Sequence, residues 1–172
     1  MVYAALVAAI TVLAGCNHSG QAAPVQSRPS TTTKAPIPGG QLPKAAPAFT
    51  AHFSDPVYED PAGEFAPFGT DEGSDMLSEW DERREELGPD TTVTDLLEDA
   101  GLSDVSADLD NPEDVDAATI TVAAGFTLLR LSGRIDDAGK KLTLKALDVL
   151  IRYYDSPSEV LRQRADLKSW RG

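Results

Sequence analysis

Between Asp116 and Arg130 the chain runs for thirteen residues without a charge, and nearly all of them are apolar or small. Ile120, Ala124, Leu128, Leu131 and Ile135 recur at helical spacing, with Val122, Phe126 and Leu129 beside them. A helix with apolar side chains on most sides belongs at the centre of a helical assembly, because any surface position would leave one face in water. Thirteen residues make about 20 Å of helix, short of the roughly 30 Å hydrocarbon core of a bilayer, which disfavours a membrane span. Residues 119–122 also alternate with period two, a minor strand signal.

The segments around this stretch are helical too, so residues 55–172 read as one acidic all-α domain, a small bundle of four to five helices. Asp71 is positioned as a helix N-cap, with Glu72 and Asp75 adding negative charge to the first turn. Met76, Leu77, Trp80, Arg84 and Leu87 then mark a buried face, and Gly88-Pro89 ends it. Thr91 or Thr92 caps a short helix with Val93, Leu96 and Leu97, which stops near Gly101. Residues 103–110 read as a polar loop, and Asn111-Pro112 as the start of the central helix. After a turn at 136–139, a helix from Lys140 or Leu142 to Tyr154 aligns Leu144, Leu147, Ile151 and Tyr154. Ser156-Pro157-Ser158-Glu159 has the form of a capping box, opening a last helix with Val160, Leu161, Ala165, Leu167 and Trp170. A short link between long helices implies antiparallel packing.

Upstream the composition changes. Residues 17–54 carry Pro24, Pro29, Pro36, Pro38, Pro43 and Pro47, a Ser30-Thr31-Thr32-Thr33 run and Gly39-Gly40, without apolar periodicity. Residues 16–54 are therefore expected to be a disordered tether. Charge divides at the same boundary. No acid precedes Asp55, and Arg28, Lys34 and Lys44 give the tether +3, while the remainder has twelve cations against twenty-eight anions, a balance of −16. That balance repels nucleic acid and anionic polymers and argues against nucleic-acid binding.

Cys16 is the only cysteine, and it follows an apolar run that begins at Ala4 and ends in Leu13-Ala14-Gly15. A run of about a dozen apolar residues suits an export signal, and spanning a bilayer takes about 20. Leu13-Ala14-Gly15-Cys16 resembles the lipobox of bacterial lipoprotein precursors. The resemblance implies a signal peptide over residues 1–15, cleavage between Gly15 and Cys16, and a lipid such as palmitate on Cys16. It implies a membrane anchor on the extracytoplasmic face. Family precursors carry Lys or Arg before the apolar run, and Met1-Val2-Tyr3 does not. An exported chain with one cysteine makes no internal disulfide, which agrees with a lipidated thiol. High Ala and Asp with few Lys suits a GC-rich, actinobacteria-like source.

Beyond the anchor no cysteine remains for thiol catalysis or zinc. His18 and His52 are expected as solvated residues of the tether. Asp71, Glu72 and Asp75 are candidate ligands for a hard cation such as calcium, against the plainer role of helix-start charges. Asp108, Asp110, Asp114 and Asp116 approach calcium-loop spacing, but Pro112 stands where a ligand is needed. Residues 79–86 read as a solvated charged face. The segment Asp55-Pro56-Val57-Tyr58, then Phe65-Ala66-Pro67-Phe68-Gly69-Thr70-Asp71-Glu72-Gly73-Ser74-Asp75, resembles the opening of the YfeS-like family of uncharacterised bacterial proteins. That resemblance implies an α-rich domain and carries no activity with it.

The reading is a surface-anchored lipoprotein whose helical domain binds an envelope protein or polymer without catalysis. Tyr58, Phe65, Phe68 and Trp80 form the expected contact site, with ordinary core packing as the alternative for the first three. The rival readings are an enzyme working on cell-wall polymer through paired carboxylates and a calcium-dependent module.

Overall fold

In the computed structural model, which describes residues 40–111 and 114–172, the apolar stretch forms the helix around which the rest is arranged. Seven helices occur among the described residues: α1 (Pro47–His52), α2 (Asp71–Glu82), α3 (Val93–Asp99), α4 (Val105–Asp108), α5 (Val115–Ser132), α6 (Asp137–Tyr153) and α7 (Ser158–Ser169), with 3₁₀ turns at Pro56–Glu59 and Arg84–Glu86. No strand occurs among those residues, so the period-two signal at 119–122 does not express itself. The fold is all-α. The five expected helices are present, and α1 and α4 are two short additions.

Helix α5 is the axis. Its length and hydropathy match a membrane-crossing helix, but 72% of it is buried by the protein's own side chains. It packs chiefly on α6 and α2, then on α3. Asp114 caps its start by accepting the Ala117 N–H at 3.1 Å, three residues beyond the expected cap at Asn111. Gly133 ends it at φ 73°, returning its N–H to Leu129 O at 2.8 Å. The contact with α6 is close because position 125 has no side chain: a Cβ there would lie 2.2 Å from the Thr143 hydroxyl.

Asp136 joins two helix starts. One carboxylate oxygen accepts Gly139 N–H at 2.7 Å and caps α6, and the other accepts Val93 N–H at 3.0 Å at the start of α3. Residues 137–139 are therefore helix, where a turn is expected. Helix α2 is capped by Thr70, whose hydroxyl accepts Gly73 N–H at 3.1 Å, and Asp71 is the first helical residue. Thr92 and Asp95 form a reciprocal capping box on α3. The box expected at 156–159 does not form: Pro157 is the N-cap of α7 and no side chain caps that helix.

The largest correction concerns the tether. Part of the expected disordered segment is core: Phe49 on α1 and Phe53, its C-cap, are 0% and 2% exposed, and Leu42 is buried. Pro47 stands at the first turn of α1, where its missing N–H costs nothing, so here it starts a helix. Phe53 then lies among Phe49, Tyr58, Phe126 and Trp170, with ring centroids 4.8–5.6 Å away. The described residues belong to one compact unit.

Arg130, on α5 and 2% exposed, holds this segment down. Its guanidinium donates to Pro43 O at 2.9 Å and Tyr58 O at 3.1 Å, and makes two 2.9 Å bonds to the Glu59 carboxylate. Phe49 and Phe68 lie with ring centroids 5.6 and 5.4 Å from it. A buried guanidinium is tolerable only with its donors occupied and its charge paired, and residues 43–59 supply both.

Candidate functional site

The aromatic residues expected at the contact site are mostly buried. Tyr58 and Phe68 are fully buried and Trp80 is 7% exposed. The Tyr58 hydroxyl donates to Asp166 at 2.9 Å. Burial, with the adjacent Asp166 carboxylate next in importance, pushes that phenol well above its usual range. The prolines and glycines of residues 55–70 let the chain wrap the bundle with its rings turned inward. The expected surface of four aromatics is therefore not a surface. His52, expected as solvated, donates its Nε2–H to the Asp166 carbonyl oxygen at 2.8 Å and packs edge-on to Trp170.

Phe65 is the exception. It is half-buried, and its ring meets Tyr154 edge-on at 5.2 Å. Tyr154 in turn meets Tyr153 at 4.9 Å. Tyr153 and Tyr154 are 51% and 40% exposed, although Tyr154 is expected on the buried line of its helix. The helix ends there: Tyr154 is the C-cap of α6, and Asp155 and Ser156 follow at φ 54° and 67°. Two successive non-glycine residues in the left-handed region store about 1–3 kcal/mol each. Ser156 N–H closes the turn on Ile151 O at 2.8 Å. The turn thus presents the two tyrosines outward at a conformational cost.

A narrow cleft of about 60 Å³ opens beside the tyrosines, between Phe65, Leu150, Tyr154 and Val160. Gln163, buried at its side, donates to Phe65 O at 2.5 Å and holds that loop against α7. Burial first, then Tyr153, Glu64 and Asp116, raise the Tyr154 phenol above its ordinary value. A broader groove of about 850 Å³ continues past Phe65, with Asp55, Asp60, Glu64 and Glu159 along it. The arrangement suits adhesion: rings for stacking and apolar contact, hydroxyls for hydrogen bonds, and carboxylates at the rim.

Asp71, Glu72 and Asp75 are all exposed. Glu72 and Asp75 flank a second pocket, of about 220 Å³, whose wall includes Met76, Trp80, Leu96 and Ile120. Among the described residues no group of three or more His, Cys, Asp or Glu side chains is gathered as for a metal ion. Cys16 and Gly15 lie outside the described residues.

No family model, curated protein or solved structure matches the chain.

Proposed function

We propose that this protein is an extracytoplasmic lipoprotein, anchored through lipidated Cys16, whose helical domain binds a cell-envelope partner without catalysis. The contact surface in this reading is Phe65, Tyr153 and Tyr154. The observation that carries it is the exposed tyrosine pair at the end of α6, just before the strained turn at Asp155 and Ser156. Among the described residues the phenylalanine, tyrosine and tryptophan rings outside this surface are buried, and Leu161, at 44%, is the other large exposed apolar side chain. Tyrosine combines large contact area with little rotamer entropy, which is why it is enriched at binding surfaces. The lipobox-like tetrapeptide supports the anchor, and the +3 balance of residues 16–54 supports an approach to anionic lipid headgroups. Membership of the YfeS-like family is part of the same proposal and rests on the residues quoted above.

Two experiments test the reading. Radiolabelled palmitate should enter the wild-type chain and not Cys16→Ser, and equal labelling of both would remove the anchor. Proximity labelling in cells should enrich a discrete set of envelope proteins or polymer fragments that Tyr153→Ser/Tyr154→Ser no longer captures. An unchanged set from the folded double variant would remove the surface.

A further inference from the structure

We propose that the pocket between α2, α3 and α5 receives an arginine side chain from a basic peptide segment of a partner. The site is separate from the tyrosine surface and does not depend on it. Its wall is apolar: Met76 and Trp80 from α2, Leu96 and Ala100 from the region of α3, and Ile120 from α5. Its rim is anionic. Glu72, Asp75 and Glu79 come from successive turns of α2, and Asp99 faces them from the end of α3. No Lys or Arg is among the residues that line the cavity itself, and Arg83 stands at its edge.

One guanidinium already stands at this rim and shows the chemistry the rim accepts. Arg83 lies 4.3 Å from the Trp80 ring centroid, on its face. It bonds both Asp99 oxygens, at 2.7 and 3.4 Å, and its Nη1 lies 3.9 Å from Glu79. Planar guanidinium, aromatic face and forked carboxylate match one another in shape. Arg83 engages Asp99 and Glu79 and leaves Glu72 and Asp75 without an ion pair or hydrogen bond to a described side chain. Carboxylates three and four residues apart on a helix repel one another, so a cation from outside relieves a cost already present in α2.

The apolar wall selects the kind of cation. A hard ion such as calcium takes six to eight oxygen ligands, and Met76, Leu96 and Ile120 offer none. An arginine side chain buries its methylenes against such a wall while its charged head stays at the carboxylate rim. A volume of about 220 Å³ accommodates one such side chain and not a folded element.

The probe is the acetylated, amidated hexapeptide Gly-Gly-Arg-Leu-Gly-Gly, titrated by calorimetry into the full chain in detergent. Its counterpart has norleucine in place of arginine. The arginine peptide should bind about tenfold more tightly than the norleucine peptide, and Glu72→Gln/Asp75→Asn should remove that preference. Arg83→Gln should tighten binding severalfold, because it frees Asp99, Glu79 and the ring face; a merely structural role for Arg83 gives no such gain. In a Trp170→Phe background, the emission of Trp80 should shift with the arginine peptide. Equal binding of both peptides, a preference that survives Glu72→Gln/Asp75→Asn, or calcium binding at those carboxylates in place of the peptide would overturn the assignment. None of these results touches the tyrosine surface, whose failure is read from the cell-labelling experiment.

Discussion

Phe53→Ala separates an integral α1 from a passive tether more cleanly than any other single change. Phe53 is 2% exposed and its ring stacks on Trp170 at 5.4 Å, with Phe49, Tyr58 and Phe126 around it. Truncating a buried phenylalanine to alanine costs about 3–5 kcal/mol. Four aromatic neighbours place this site in the upper part of that range, because edge and stacked ring contacts add to the area term. A residue in a disordered tether would change stability by less than about 0.5 kcal/mol. Urea unfolding followed by far-ultraviolet circular dichroism measures the difference. With a slope of about 2 kcal/mol per molar, the midpoint should fall by roughly 2 M. A domain of this size has about 5–15 kcal/mol in all, so the variant should remain folded but weakened, or unfold outright if the wild type lies at the low end. A loss below about 1 kcal/mol would refute the placement of residues 47–53 in the core.

Three further outcomes follow from single groups. Tyr58→Phe should cost about 1 kcal/mol at neutral pH through the lost bond to Asp166. The folded-state pKa of Tyr58 lies above the unfolded value of 10.0, so its contribution holds below pH 10 and is lost above it; chemical denaturation across pH 9–11 should show a steeper decline in wild type than in the variant. Thr127 is fully buried and its hydroxyl meets no partner among the described residues, so Thr127→Val should raise stability by about 1 kcal/mol in a thermal melt. Glu59→Gln leaves the Arg130 guanidinium buried and unneutralised, and should cost about 1.5–3 kcal/mol by denaturant titration even though Glu59 itself is 57% exposed.

Periodicity and capping chemistry made α2, α3, α5, α6 and α7 legible, because each lays a continuous apolar stripe on the core. The misplaced starts have local causes. Thr70 displaces Asp71 as cap, and Asp136 begins α6 early because its second oxygen is needed at Val93. Residues 42–53 were harder to read because proline density signals disorder, while the pattern that mattered was Pro47 at a helix start with Phe49 and Phe53 four residues apart. The role of Arg130 was not visible in the sequence at all: a charge at the edge of an apolar run carries no sign of the carbonyls that enclose it. The burial of Tyr58 and Phe68 was hidden for a related reason. Sequence spacing brings Tyr58, Phe65 and Phe68 together, whereas the fold turns two of them inward and joins Phe65 to Tyr154, eighty-nine positions away.

The central claim is that recognition falls to the tyrosine pair beside Phe65 and not to the buried rings. A photocrosslinking phenylalanine analogue at position 153 of the full chain in cells, with the same analogue at the exposed position 161 as control, tests it most directly. The account predicts a discrete crosslinked species from position 153 that disappears with Phe65→Ser/Tyr154→Ser, and none from position 161. The same crosslinked products from both positions, or none from position 153, would contradict it.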